Sequence, residues 1–282
     1  MNGATAFALP TAKGQSLSVN PTSGSNVISW KSLDKDDKPW FTARISLPNF
    51  LVEETSDPIV AIQLVRFLIN AKNLNRQFLS ESKHYRVETK LEFGLDEGLG
   101  SSSTLTSNIA QWAGVNPYEL HFNAFKGSGY DIAVAEKGQP LLYTMNGAHP
   151  QIETVSWQKP FADKLFFVHL NKKQDSRSEV TRFAHRMTST EIAQITRISR
   201  LLSINDDYFE FCLLLELAEN EMSQVLGRPT IKQSLFQDFH GTIKSLGAWG
   251  GDYVLATGTD TVAYFNARGY QRIIPYKEMI KS

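Results

Sequence analysis

Shortages in this sequence exclude several classes of protein. It has one cysteine, which excludes an internal disulfide framework and a cysteine-rich zinc site. Lysine plus arginine and aspartate plus glutamate both number 29, so no net charge attracts nucleic acid or an anionic membrane. No apolar run is long enough to cross a bilayer, and the first residues lack the pattern of a signal peptide. We therefore expect a cytoplasmic protein that binds neither nucleic acid nor membranes.

The thiol and the imidazoles show no pattern of a reactive or metal-binding site. Cys212 lies between Phe211 and the leucines at 213–215, which predicts a buried, inert thiol rather than a catalytic one. The six histidines have no metal-ligand spacing. His121 and His149 are therefore interpreted as ordinary polar residues.

Length and composition predict a globular chain that mixes strands and helices. With 282 residues, 41% hydrophobic and 21% charged, it is long enough for one large domain or two modest ones. Residues 5–52 are typical of strands and hairpins, with a solvated turn at 34–38. Asp57 and Pro58 suit the first positions of a helix. Apolar side chains then predict that this helix is largely buried: Ile59, Ile62, Leu64, Val65, Phe67, Leu68 and Ile69.

A polar stretch at 146–160, with Pro150 and Pro160, predicts an irregular seam between domains. We therefore divide the chain into residues 1–155 and 156–282. Beyond the seam, Thr188 and Glu191 have the spacing of a capping box ahead of an apolar helix. Another helix is predicted from Asp206 to Leu226. Together these elements predict an α/β fold.

A glycine- and serine-rich segment between a strand and a helix is the first candidate site: Gly98, Leu99, Gly100, Ser101, Ser102, Ser103 and Thr104. Residues 85–93 alternate like a half-buried strand, and Leu105, Ile109 and Trp112 share a helical face that ends at Gly114. Glycines allow the backbone to approach a polyphosphate, and the first amides of a helix are unpaired donors. The segment therefore predicts a phosphate site, although an ordinary strand-to-helix loop has the same composition.

Two further segments give this pattern more weight. One is the run Gly127-Ser128-Gly129-Tyr130-Asp131-Ile132-Ala133, and the other is the run from Lys244 to Asp252 with glycines at 247, 250 and 251. In this order the three segments resemble those of the GHMP kinases, the family of galactokinase, homoserine kinase, mevalonate kinase and phosphomevalonate kinase. The second and third are most similar to the mevalonate and phosphomevalonate kinases, and Gly-Tyr-Asp-Ile-Ala is similar to a further branch.

The resemblance implies a two-domain kinase with a ribosomal-S5-like N-terminal domain and an α+β C-terminal domain. The first segment, 98–104, would bind the phosphates of ATP, with Ser102 facing Mg²⁺. Asp131 would accept or orient the proton of the acceptor hydroxyl; a turn aspartate that caps the next residues is the alternative. Residues near the acceptor and phosphates would be Gly129, Gly247, Ala248, Trp249, Gly250 and Gly251. Without the resemblance, the last segment is typical of a tight turn before a strand.

Two charged residues are further candidates. Glu119 is the carboxylate nearest to the position where the family has a second magnesium ligand, although its spacing to Asp131 also suits a solvated helix charge. Arg177 falls in a region that contacts the acceptor in related kinases, where its guanidinium would pair with a carboxylate or phosphate; a plain surface loop is the alternative.

The sequence also departs from the family pattern. Residues 1–10 resemble the second half of the family's first motif, and no residue aligns with the lysine of the Pro-Gly-Lys-like strand that precedes it. Trp249 stands where the family prefers glycine, and Ser103 stands for alanine. We predict an ATP- and Mg²⁺-dependent kinase of a small acceptor, mevalonate or phosphomevalonate being favoured, in a monomer or homodimer. The alternatives are a catalytically silent relative and a protein without a nucleotide site.

Overall fold

The structure, a computed structural model, describes residues 3–124, 127–147, 149–172, 187–247, 249 and 251–281. Its strands are β1 Ala6–Ala8, β2 Gln15–Ser23, β3 Val27–Leu33, β4 Pro39–Ser46, β5 Leu51–Thr55, β6 Lys83–Leu91, β7 Leu141–Asn146, β8 His149–Thr154, β9 Leu165–His169, β10 Ile243–Ser245, β11 Tyr253–Thr257 and β12 Ile273–Pro275. Its α-helices are α1 Pro58–Leu74, α2 Ser101–Ala113, α3 Pro117–Ala124, α4 Tyr130–Lys137, α5 Ser189–Ile204, α6 Tyr208–Leu226, α7 Ile231–Leu235, α8 Thr261–Asn266 and α9 Tyr276–Met279.

The chain forms two compact units that are discontinuous in sequence. The first unit is Lys13–Leu95 with Leu99–Glu136, and the second is Met1–Ala12, Asp96–Gly98 and Lys137–Ser282. These units differ from the predicted halves at residue 155, because β1 and the strands β7 and β8 group with the C-terminal part.

The first unit is a five-stranded sheet covered by helices. Its strand order is β2-β6-β3-β4-β5, and β3 runs parallel to β6 while the other neighbours are antiparallel. Side chains of the sheet share one apolar core with α1, α2 and α3. The predicted alternation over 85–93 is confirmed, because Tyr85, Val87 and Leu91 are buried. Gly114 ends α2 in the left-handed conformation, as expected.

Helix α1 begins where the sequence predicts, but it is only partly buried. Asp57 Oδ1 accepts from the amides of Ile59 and Val60 at 2.8 and 3.2 Å. The expectation of a largely buried helix is wrong at Ile59 and Ile62, which are 70% and 66% exposed, and Ile69 is also exposed. These residues lie three or seven positions apart on one side of the helix, while the opposite side rests on the core. The prediction from apolar composition therefore overestimated how much of α1 is buried.

The Asp57 cap allows a direct test of this helix start. Replacing Asp57 with Ala is expected to lower the free energy of unfolding by about 1 kcal/mol, because two first-turn amides lose their acceptor. The matched variant Asp57→Asn retains a side-chain acceptor and should stay within a few tenths of a kcal/mol of the parent. Urea denaturation followed by circular dichroism measures both. Equal losses in the two variants would exclude capping as the cause.

The second unit contains two sheets, with orders β1-β7-β8 and β10-β11-β9-β12. The expectation of an irregular stretch at 146–160 is wrong over His149–Thr154, because β8 pairs antiparallel with β7 across that stretch. Pro150 is tolerated because β8 is an edge strand, where a missing amide donor breaks no ladder on its outer side.

Local signals set the long helices of the second unit. Thr188 and Glu191 form the predicted capping box at the start of α5. Helix α6 has Asp207 as its N-cap and ends at Gly227 in the left-handed conformation. Cys212, on α6, is only partly buried, and its Sγ lies 3.4 Å from Oγ1 of Thr257. Among the described residues, every helix is too short or too polar to cross a membrane.

Candidate functional site

The glycine- and serine-rich segment turns into the N-terminus of α2. Gly100 is the N-cap, in the left-handed conformation with φ of 79°, and Ser101 is the first helical residue. The amides of Ser103 and Thr104 both reach the carbonyl oxygen of Gly100 at 3.0 Å. The amides of Ser101 and Ser102 stand in the first turn, where no carbonyl one turn earlier is available to them. This geometry suits an anion, because the donors and the positive end of the helix dipole coincide.

Side-chain hydrogen bonds fix α2 against β2 within the first unit. Thr104 Oγ1 donates to Oε1 of Gln15 at 2.8 Å, and Asn108 Nδ2 donates to the carbonyl oxygen of Gln15 at 2.8 Å. The Thr104 hydroxyl therefore has a protein partner, although its amide remains part of the first turn. Ser102 is exposed, and Ser101 and Ser103 are partly buried. The serine hydroxyls are thus the side-chain donors that solvent and ligands can reach.

Asp131 is the second residue of α4 and is exposed to solvent. Desolvation raises the pKa of its carboxyl to about 6, and a hydrogen bond from Tyr130 opposes this. Protein atoms around the carboxyl group cause this desolvation, although the residue as a whole is exposed. A carboxylate with a pKa near neutrality is suited to accept a proton.

The turn before Asp131 depends on glycine. Gly129 has φ of 80°. A Cβ on Gly127 would lie 2.7 Å from Nε2 of His121 on α3, so a larger residue there would require the imidazole to shift. The left-handed conformation of Gly129 therefore shapes the loop that places Asp131 in the first turn of α4.

The third segment is the turn of the β10–β11 hairpin. Ser245 pairs with Val254, and the amide of Leu246 donates to the carbonyl oxygen of Tyr253 at 3.2 Å. Gly247 and Asp252 both have positive φ, 59° and 50°. Gly251 is buried. Ala248 and Gly250 lie outside the described residues. The chain thus turns between β10 and β11, as the glycines of this segment predict.

A buried ion pair anchors this hairpin to α6. Glu219, 2% exposed, accepts from the amide and hydroxyl of Ser245 at 3.0 and 2.7 Å. Lys244 Nζ lies 3.1 Å from Oε2 of Glu219 and 5.8 Å from the ring centroid of Trp249. Trp249, partly buried, therefore contacts the cation of this pair. Its predicted contact with a ligand stays a prediction.

Gly98 and Asp252, from the first and third segments, meet within the second unit. Gly98 has φ of 65°, and a Cβ placed on it would lie 2.5 and 2.6 Å from the two carboxylate oxygens of Asp252. Asp252 is 8% exposed, and its carbonyl oxygen accepts from the amide of Leu170 at 2.8 Å. Only glycine therefore fits at position 98 without moving this carboxylate.

The remaining candidates are less defined. Glu119 is exposed in the first turn of α3, behind the cap residue Asn116. Among the described residues, no group of three or more histidines, cysteines or carboxylates is placed to hold a metal. The magnesium role of Ser102 and Glu119 stays a prediction. Arg177 lies outside the described residues.

Sequence reasoning missed the charged neighbours of Gly98. Asp96 and Glu97 face Arg272, and the backbone of Asp96 contacts His169. Asp252 entered the sequence prediction only as the last residue of the third segment, with no role assigned to it. Arg272 and His169 had no sequence pattern to reveal them, because His169 ends β9 and Arg272 precedes β12, both far from Gly98 in the sequence.

The architecture described above is the fold of the GHMP kinases. The mevalonate kinase of Methanococcus jannaschii matches 96% of this chain and 90% of its own, with a TM-score of 0.65 and 13% identity. Streptococcus pneumoniae phosphomevalonate kinase, solved with phosphomevalonate and AMPPNP, matches 94% of each chain with a TM-score of 0.62 and 11% identity. Lactococcus lactis galactokinase, complexed with galactose, matches 95% of this chain and 86% of its own, with a TM-score of 0.60 and 12% identity. No family model and no curated protein sequence matches the chain. At these identities the likeness shows the fold.

Proposed function

We propose that this protein is an ATP-dependent kinase of the GHMP type that phosphorylates a small metabolite. The observation that carries the proposal is the N-terminus of α2, where the left-handed Gly100 leads into three serines. The fold it shares with mevalonate kinase, phosphomevalonate kinase and galactokinase supports the same conclusion.

The loop residues fit a polyphosphate. Among the described residues, no atom lies within 4 Å of the position that a Cβ on Gly100 would take, so the backbone there is open to a ligand. The amides of Ser101 and Ser102 and the accessible Ser102 hydroxyl supply hydrogen-bond donors to phosphate oxygens. The loop would hold the β- and γ-phosphates mainly by backbone donors. Such donors need no reorganisation when charge develops on the transferring group.

ATP, when bound, supplies the phosphoryl group, and Mg²⁺ neutralises part of its charge. Ser102 and Glu119 are the residues that would hold the metal ion. Asp131 would accept the proton of the acceptor hydroxyl at its carboxylate oxygen. A carboxyl with a pKa of about 6 is mostly ionised at neutral pH yet remains basic enough for this role.

The acceptor is proposed to be mevalonate or phosphomevalonate. The segments 127–131 and 247–252 resemble those of the two corresponding kinases, and both kinases share the fold. Galactokinase shares it as well, so sugars belong in the test. We expect a protein without nucleic-acid or membrane partners, either a monomer or a homodimer, and size-exclusion chromatography with light scattering distinguishes the two.

An ATP-consumption screen tests the proposal. The full chain is assayed with Mg·ATP against mevalonate, phosphomevalonate, homoserine and galactose, and binding of Mg·ATP is measured separately by calorimetry. Turnover with one acceptor supports a kinase. ATP binding without turnover on any acceptor would favour a silent ligand-binding relative. Absence of both would exclude a nucleotide site.

The pKa of Asp131 predicts the acid limb of the pH profile. With a hydroxyl acceptor, kcat/KM should rise about tenfold per pH unit below about 6 and level off above it, because the base must be ionised. The same profile measured on Asp131→Asn with the same hydroxyl acceptor is the control, since its residual rate should lack this limb. A hydroxyl-acceptor rate that stays flat from pH 5 to pH 7 would contradict a general-base role.

A further inference from the structure

A charged cluster lies beside the start of the phosphate loop, and the proposed chemistry does not use it. Within the second unit, Arg272 Nη1 lies 3.3 Å from Oδ2 of Asp96 and 3.8 Å from Oε1 of Glu97. Asp96 and Glu97 are the two residues immediately before Gly98. Arg272 comes from the chain just before β12, far from the loop in sequence. One side chain thus faces two consecutive carboxylates of the loop.

His169, at the end of β9, fixes the backbone of the same segment. The amide of Asn171 donates to its Nδ1 at 3.2 Å, so the ring proton lies on Nε2. Nε2 then donates to the carbonyl oxygen of Asp96 at 3.2 Å. His169 is 3% exposed, and its ring makes an edge-to-face contact with Tyr253, with the ring centroids 5.0 Å apart. It is therefore held in one orientation from two sides.

The buried carboxylate of Glu97 makes the cluster depend on the positive charge of Arg272. It is 5% exposed, and its Oε2 has no hydrogen-bond partner among the described residues. A buried carboxylate depends on a nearby positive charge, because burial removes its hydration. The pKa of Asp96 is lowered although desolvation opposes this, since its backbone amide and Arg272 favour the ionised form. Loss of Arg272 would remove the positive charge that these two adjacent carboxylates share.

We propose that Arg272 is a positioning residue of the phosphate loop, acting beside the contact between His169 and the backbone of Asp96. It holds Asp96 and Glu97, and with them the left-handed Gly98 against Asp252, so that residues 96–98 keep one conformation. The consequence for ATP affinity rests on the proposed kinase function. The positioning itself does not.

The test compares Arg272→Met with Arg268→Met. Arg268 is a matched control because its side chain is 36% exposed, against 38% for Arg272, and it also pairs with a carboxylate, that of Asp238. Hydrogen exchange of peptides covering 96–103 is measured without ligand, and Kd of Mg·ATP by calorimetry. In Arg272→Met we expect exchange at least about tenfold faster and Kd about tenfold higher, whereas Arg268→Met leaves both unchanged. Arg272→Lys should recover most of the loss, because the positive charge returns.

Each outcome decides the proposal. Unchanged exchange at 96–103 in a folded Arg272→Met protein would overturn it, and so would equal changes in Arg268→Met. If Arg272→Met does not fold, Asp96→Asn replaces it, since Asp96 has a side chain 61% exposed and tolerates substitution. Faster exchange in Asp96→Asn supports the proposal, and unchanged exchange overturns it. If the parent protein binds no Mg·ATP, the kinase proposal fails, while the exchange comparison still decides the positioning role.

Discussion

Asp131→Asn is expected to lower kcat with a hydroxyl acceptor by about 10²–10⁴-fold. The substitution keeps the shape of the side chain but removes the base, so the acceptor hydroxyl loses the group that takes its proton. Kd of Mg·ATP should stay within about twofold of the parent value, because Asp131 begins α4 rather than the phosphate loop. Steady-state kinetics and calorimetry on the same preparation measure the two quantities.

Two comparisons make this result specific. Asp57→Asn, at the start of α1, replaces another helix-start carboxylate of the first unit outside the proposed catalytic residues, and it should retain full activity. With a phosphate acceptor the loss in Asp131→Asn should be much smaller, since no proton has to leave the nucleophile. Undiminished turnover of a hydroxyl acceptor by Asp131→Asn would remove Asp131 from the catalytic role.

Features that depend on neighbours in sequence were predictable. The N-cap of α1 at Asp57, the capping box at Thr188 and the glycine ends of α2 and α6 all satisfy backbone groups within four residues. Their hydrogen bonds follow from the local sequence alone. The same reasoning explains why the turns before Asp131 and before β11 were found.

Features that depend on tertiary neighbours were not predictable. Ile59 and Ile62 have the apolar character of core residues, yet they are exposed, because the sheet covers only one side of α1. β8 has a proline and polar side chains, but pairing with β7 supplies its hydrogen bonds. In both places the sequence indicated the chemical character of the residues correctly, but burial and strand pairing depended on elements that are distant in the sequence.

The candidate site shows the same division. The sequence placed Gly98 in a phosphate-binding pattern, and the structure gives a second reason for that glycine, the carboxylate of Asp252 against its Cα. His169 and Arg272 are brought to Asp96 by the pairing of β9 with β12. No spacing rule connects residues so far apart in the chain. A resemblance between motifs therefore identifies the loop but not what holds it.

Gly98→Ala is expected to raise Kd of Mg·ATP about thirtyfold, equivalent to roughly 2 kcal/mol. The new Cβ would lie 2.5 Å from Oδ1 of Asp252, and φ of 65° is itself unfavourable for alanine. Asp252 is buried and its backbone is held by Leu170, so relief of this contact requires Gly98, the carboxylate or both to shift. A shift at Gly98 would displace the first residue of the proposed phosphate loop and weaken its binding of ATP.

A double-mutant cycle separates the steric contact from the backbone strain. Gly114 has nearly the same φ, 64°, but among the described residues no atom would lie nearer than 3.9 Å to a Cβ placed on it. Gly114→Ala should therefore cost about 1 kcal/mol of stability and leave Kd of Mg·ATP unchanged. In an Asp252→Ala background, Gly98→Ala should raise Kd far less than in the parent, because the carboxylate is absent. A coupling energy above about 1 kcal/mol confirms that Asp252 is the obstacle. Additive effects would instead assign the whole loss to the positive φ at position 98.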